Sequence, residues 1–199
     1  AMPRIFHRLL SPALLVTGLT ICASLVNYVA QGTLAYRFGA GQAVDGYLFA
    51  LSVPTFLAGS LSAIISYTVV PMLSEHHGDD LFDALASSIF VFVCGMAFLV
   101  MCLGLPAIIL QTSLLPRQSH IGELDGISLM IMLAWVLAGF QIIGAVIVAQ
   151  LNAVERPVLG AFMAFPTGLG TIIALLLSYQ FGIWVAVAGA IIGALLGVV

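Results

Sequence analysis

The chain has 199 residues, 62% of them hydrophobic and 7% charged, with five cations, eight acids and a net charge of −3. A soluble domain carries about a quarter charged residues, so this composition excludes a water-covered surface of ordinary size. With a mean hydropathy of +1.22, the chain reads as an integral membrane protein, and it offers no basic patch for nucleic acid.

A helix needs about 20 apolar residues to cross the hydrocarbon core. In chain order, the segments 9–36, 47–73, 81–111, 127–151, 157–179 and 182–199 qualify. Barrel strands would be about 10 residues long with alternating polarity, a pattern not seen here. Helices satisfy every backbone group internally, as hydrocarbon demands. The fold expected over 2–199 is therefore an all-α membrane protein, a single bundle of about six transmembrane helices. The sixth run reaches Val199 without a polar flank, which reads as a span cut short.

The breaks between spans hold most of the charge. Arg37 and Asp45 flank the turn Gly39-Ala40-Gly41, and the stretch 74–80 separates the second and third spans. A longer polar stretch, 111–126, contains Arg117. Arg156 precedes Pro157, a residue suited to the first turn of a helix. With the N-terminus in the cytoplasm, Arg4, Arg8 and Arg156 lie inside, against Arg37 and Arg117 outside. That bias follows the positive-inside rule.

Within the spans, polar residues fall on single faces. The first span carries Thr20, Ser24, Asn27 and Gln31, and the second carries Ser52, Thr55, Gly59, Ser62 and Ser66; steps of three and four keep each set on one side of its helix. Intramembrane polar groups face a bundle interior or a wet cavity, so both stripes are candidate cavity walls. Helix–helix hydrogen bonding is the alternative use of such residues. Pro54 and Pro106 interrupt the helical ladder in mid-span, and Gly189, Gly193 and Gly197 form a face for close helix packing.

Nothing points to an enzyme or to a cofactor. Cys22, Cys94 and Cys102 lie in apolar runs without paired spacing and read as small hydrophobes. His76, His77, Asp79 and Asp80 read as a solvated loop rather than a metal site. No nucleophile–base pair or phosphate loop occurs.

The segment 38–75 resembles the start of the MurJ/MviN family of lipid-linked oligosaccharide flippases. Phe38-Gly39-Ala40-Gly41, Asp45, Pro54, Val70-Pro71 and Glu75 carry the resemblance, and the Leu151-Asn152-Ala153 segment within 149–165 extends it. The family belongs to the MOP exporter superfamily, with two six-helix lobes around a central cavity. The resemblance implies that this chain is the N-terminal lobe in the inner (cytoplasmic) membrane. A second six-helix lobe would come from the same full-length chain or a dimer partner, and the partners implied are membrane lipids and a lipid-linked substrate. The stripe residues Ser24, Asn27, Gln31, Ser52, Thr55 and Ser62 are then the candidate cavity lining, and Asp45 matches a family acid near the outer gate, where Arg37 or a residue of the second lobe is its candidate partner. Lipid II flippases of the family bear cavity arginines at positions corresponding to Ser24, Ala30, Ala58 and Gly59. Their absence leaves a MATE-type small-molecule exporter and a non-transporting membrane scaffold as competing expectations.

Overall fold

A computed structural model of the chain describes residues 2–39, 41–76, 81–114 and 126–198. Ala40, the stretch with His77, Asp79 and Asp80, the stretch with Arg117, and Val199 lie outside the described residues. Helices account for the described chain: α1 (Met2–Phe38), α2 (Gln42–Glu75), α3 (Leu81–Cys102), α4 (Gly104–Leu114), α5 (Ile127–Ala153), α6 (Pro157–Phe162), α7 (Phe165–Ser178) and α8 (Trp184–Val198). A single 3-10 turn, Tyr179–Phe181, joins α7 to α8.

Among the described residues, five stretches are long and apolar enough to cross a membrane: Ala13–Phe38, Gln42–Glu75, Leu81–Gln111, Ile127–Ala153 and Pro157–Leu177. Helix α8 is apolar but shorter. Their outer faces carry large bare side chains, among them Phe56 at 76%, Phe92 at 73% and Leu177 at 78% exposure. Water would not tolerate so continuous an apolar surface, whereas acyl chains solvate it without cost. The protein is an all-α membrane bundle.

Helix α5 is its axis. It packs against α2, α3, α4, α6 and α8, and Met130, Ile131, Ala134, Ala138, Ile142, Val146 and Ala149 are almost fully enclosed along it. Small residues let the neighbours come close. Gly139 admits Met101 of α3, and Gly104 of α4 lies against Trp135. A polar tie joins α5 to α3, where the Gln150 amide donates to the Ala86 carbonyl at 2.9 Å.

The mid-span prolines behave differently from one another. Helix α2 runs without interruption through the buried Pro54, while Pro106 sits just past the break between α3 and α4. A further break at Met163–Ala164, just before Pro166, separates α6 from α7. Proline lacks the N–H that would have bonded back to residue 162, so the ladder opens there. The Met163 N–H divides itself between the Leu159 and Gly160 carbonyls, at 3.3 Å each. Helix α8 closes over this break with its glycine face. Gly193 abuts the Pro166 carbonyl, Gly189 abuts Gly170, and Gly197 meets the Met163 carbonyl.

Among the described residues, the Gln111 amide and the Trp135 indole N–H are buried without a hydrogen-bond partner. Gln111 near the end of α4 is 3% exposed, and both amide atoms lack a hydrogen-bond partner. A buried polar group without a partner costs about 1–3 kcal/mol. Replacing it with an apolar residue of similar length, Gln111→Met, is therefore expected to stabilise the protein by about that amount. Thermal unfolding of the purified protein in detergent measures it, and a lowered midpoint would show that the amide is satisfied in the membrane.

Candidate polar cleft

The bundle leaves most of the two polar stripes open. Thr20, Ser24, Asn27, Gln31, Ser52, Thr55, Gly59 and Ser66 are exposed, and Ser62 is half-buried. Their hydrogen bonds are local. Thr20 donates to the Val16 carbonyl at 2.8 Å, Ser24 to Thr20 at 2.8 Å, and Asn27 to Ala23 at 3.1 Å. On α2, Ser52 donates to the Phe49 carbonyl at 2.8 Å and Thr55 to Leu51 at 2.6 Å. Each of these donors bonds its own helix one turn back, a habit of Ser and Thr in helices. These bonds tie no helix to its neighbour. The hydroxyl and amide oxygens keep acceptor lone pairs for an outside partner.

Helix register sets where the stripes face. Viewed from its N-terminus, each stripe lies roughly a quarter turn clockwise of its helix's buried line, at about 100° per residue. On α1 that line is Ala23, Ala30 and Leu34; on α2 it includes Ala50, Pro54, Ala58 and Ile65. The helices form an antiparallel hairpin across a three-residue turn, in which Gly39 takes a left-handed φ of 67° that favours glycine. One rotation sense on two opposed helices turns the stripes either toward each other or apart. Gln31 of the α1 stripe comes within hydrogen-bonding reach of Tyr47, which lies on the buried face of α2 rather than on its stripe.

Beyond that contact the hairpin opens. Helix α1 leans on α6 and α7, with Asn27 and Val26 against Gly168, and touches α2 little; α2 lies along α5. Ser24, Asn27 and Gln31 lie on α1, and Ser52, Thr55 and Ser62 on α2. Asp45 precedes Ser52 by two turns and so sits on the same flank of α2, where it is exposed.

Arg37 goes elsewhere. It stands in the last turn of α1, roughly 110° round the helix from the α1 stripe, and lines a separate groove with Leu176 of α7. The structure thus brings Asp45, but not Arg37, to the flank that carries a stripe. Ala30 and Ala58 are 3% and 0% exposed, enclosed by neighbouring side chains. Tyr47 was missed by sequence reasoning. Its signal was present, since a tyrosine at the head of an apolar span needs a partner for its hydroxyl.

Other recesses differ in character. A groove of about 830 Å³ on the α7/α8 face is apolar, lined by residues such as Leu169, Ile173, Leu177 and Ile192. Among the described residues no group of three or more His, Cys, Asp or Glu is placed to hold a metal. Compared with known proteins, the chain matches no family model, no curated protein and no solved structure.

Proposed function

We propose that this chain is one lobe of an alternating-access membrane transporter, a MurJ/MviN-like flippase of a lipid-linked or polysaccharide-type substrate. The observation that supports the reading is the pair of polar stripes on α1 and α2, most of whose hydroxyls bond only within their own helix. A cleft of neutral hydroxyls and amides suits a substrate rich in hydroxyl groups, since sugars exchange donors and acceptors with such walls at about 0.5–1.5 kcal/mol per bond. No cation stands on either stripe, so the cleft offers a diphosphate no charge compensation. The glycan portion is therefore what it grips. The open side of the hairpin receives a second lobe, and transport proceeds by rocking of one lobe against the other. Asp45 at the mouth serves the outer gate. The protein is multi-pass in the inner membrane with its N-terminus in the cytoplasm.

Accessibility tests both topology and cleft. In a cysteine-free background of the full-length protein, single cysteines at Ser24, Asn27, Thr55 and Ser62 are expected to react in membranes with a water-soluble thiol reagent. Cysteines at Leu25, Phe56 and Phe92 should not. Ser119→Cys should label in intact cells and His77→Cys only after permeabilisation. Stripe cysteines as inert as the lipid-facing set would leave the scaffold reading instead, and reversed loop labelling would invert the topology.

A further inference from the structure

The break between α6 and α7 borders a cavity of about 320 Å³ that α5 and α8 also wall. Gln141 and Gly144 of α5, Met163 at the break, Thr167 of α7 and Gly197 of α8 are among its lining. From this juxtaposition we infer a binding site for a monovalent metal cation, held by the Gln141 amide oxygen, the Thr167 hydroxyl and the Met163 carbonyl.

Depth is the first support. Along α5, Gln141 lies roughly 21 Å from Ile127 and roughly 18 Å from Ala153 at the helical rise per residue. That places it near the middle of a hydrocarbon layer about 30 Å thick, where polar atoms find no partner in the solvent. Among the described residues, neither the Gln141 side chain nor the Thr167 hydroxyl has a hydrogen-bond partner. The Met163 carbonyl is turned toward Gly197, 2.9 Å from where a Cβ there would stand, and both residues line the cavity. The break itself exists because Pro166 has no N–H for the Phe162 carbonyl. Unwound carbonyls of discontinuous membrane helices are cation ligands at the bilayer midplane.

The donor set selects the ligand. Calcium and magnesium call for carboxylates, and no described lining residue is charged. An amide oxygen, a hydroxyl and a carbonyl are neutral hard donors, of the kind that replaces the hydration shell of a singly charged ion in carbonyl-lined filters. A water takes about 30 Å³ of liquid volume, so the cavity has room for waters that complete the shell. Bound there, the ion ties α5 to α7 and to the break. The site rests on the chain being in a membrane, and it stands whether or not the proposed cleft transports anything.

The test is thermal unfolding of the purified full-length protein in detergent at fixed ionic strength, in sodium, potassium or N-methyl-D-glucamine chloride. One of the two alkali ions is expected to raise the midpoint by about 2–4 °C over the organic cation, the size of a tenfold excess over Kd. Gln141→Leu and Thr167→Val should each abolish that rise, whereas Ser88→Ala on the exposed side of α3 should keep it. Gly144→Met fills the cavity from α5, where a Cβ meets nothing within 4 Å. It should remove the rise without touching a donor, which covers the case that a polar variant fails to fold. Equal midpoints in all the salts for the unaltered protein would overturn the inference and leave water as the occupant. So would an undiminished rise in the double variant Gln141→Leu with Thr167→Val, because the ion would then bind elsewhere.

Discussion

Gly193→Leu is expected to yield little folded protein, and Gly193→Ala to lower its stability by about 3 kcal/mol, the upper end for overpacking. The physical reason is backbone against backbone. A Cβ at Gly193 would fall on the Pro166 carbonyl and within 2.7 Å of the Thr167 Cα, and neither can rotate away as a side chain would. Helix α8 would have to lift from the α6/α7 break, exposing carbonyls in a region where hydrocarbon offers no replacement partner. The control is Gly95→Ala on α3, where nothing lies within 4 Å. There the gain in helix propensity, about 0.5–1 kcal/mol, should hold or raise the melting temperature. Thermal unfolding followed by fluorescence-detected size exclusion in detergent separates the two. A Gly193→Ala protein as stable as its parent would mean that α8 does not seat on the break.

Filling the cleft should have the second large effect, on function rather than folding. Ser24→Trp with Thr55→Trp is expected to lower transport by the full-length protein more than tenfold while leaving the melting temperature nearly unchanged. Both side chains are exposed, and their hydroxyls bond only their own helices, so the fold loses no interhelical contact when they go. Surface changes away from such contacts usually stay within about 0.5 kcal/mol. The milder pair, Ser24→Ala with Thr55→Val, removes hydroxyls without adding bulk. Each lost hydrogen bond to substrate is worth about 0.5–1.5 kcal/mol, a two- to tenfold loss. Phe92→Trp on the outer face of α3 should do nothing. Export of a labelled lipid-linked glycan in cells that depend on this protein is the readout, and normal export with both tryptophans in place would remove the cleft from the transport path.

The two halves of this picture came from different levels of description. That the chain is helical and membrane-embedded was legible in its apolar runs, because hydrocarbon permits so few ways of satisfying a backbone. The stripes were legible too, since helical periodicity depends only on spacing, and 20/24/27/31 or 52/55/59/62/66 share a face in any helix. Gly189, Gly193 and Gly197 announced close packing for the same local reason.

Spacing along one helix says nothing of how that helix is rotated against its neighbours. Only the packed structure laid α1 on α6 and α7 and α2 on α5, leaving most of both stripes exposed. It likewise set Arg37 beside a groove shared with Leu176 of α7, a neighbour that spacing along the chain does not give. The break at Met163 was equally out of reach, because Pro166 alone permits a helix to bend or to stop, and the glycine face of α8 fills the opening that results. Periodicity is a property of one helix, and orientation is a property of pairs.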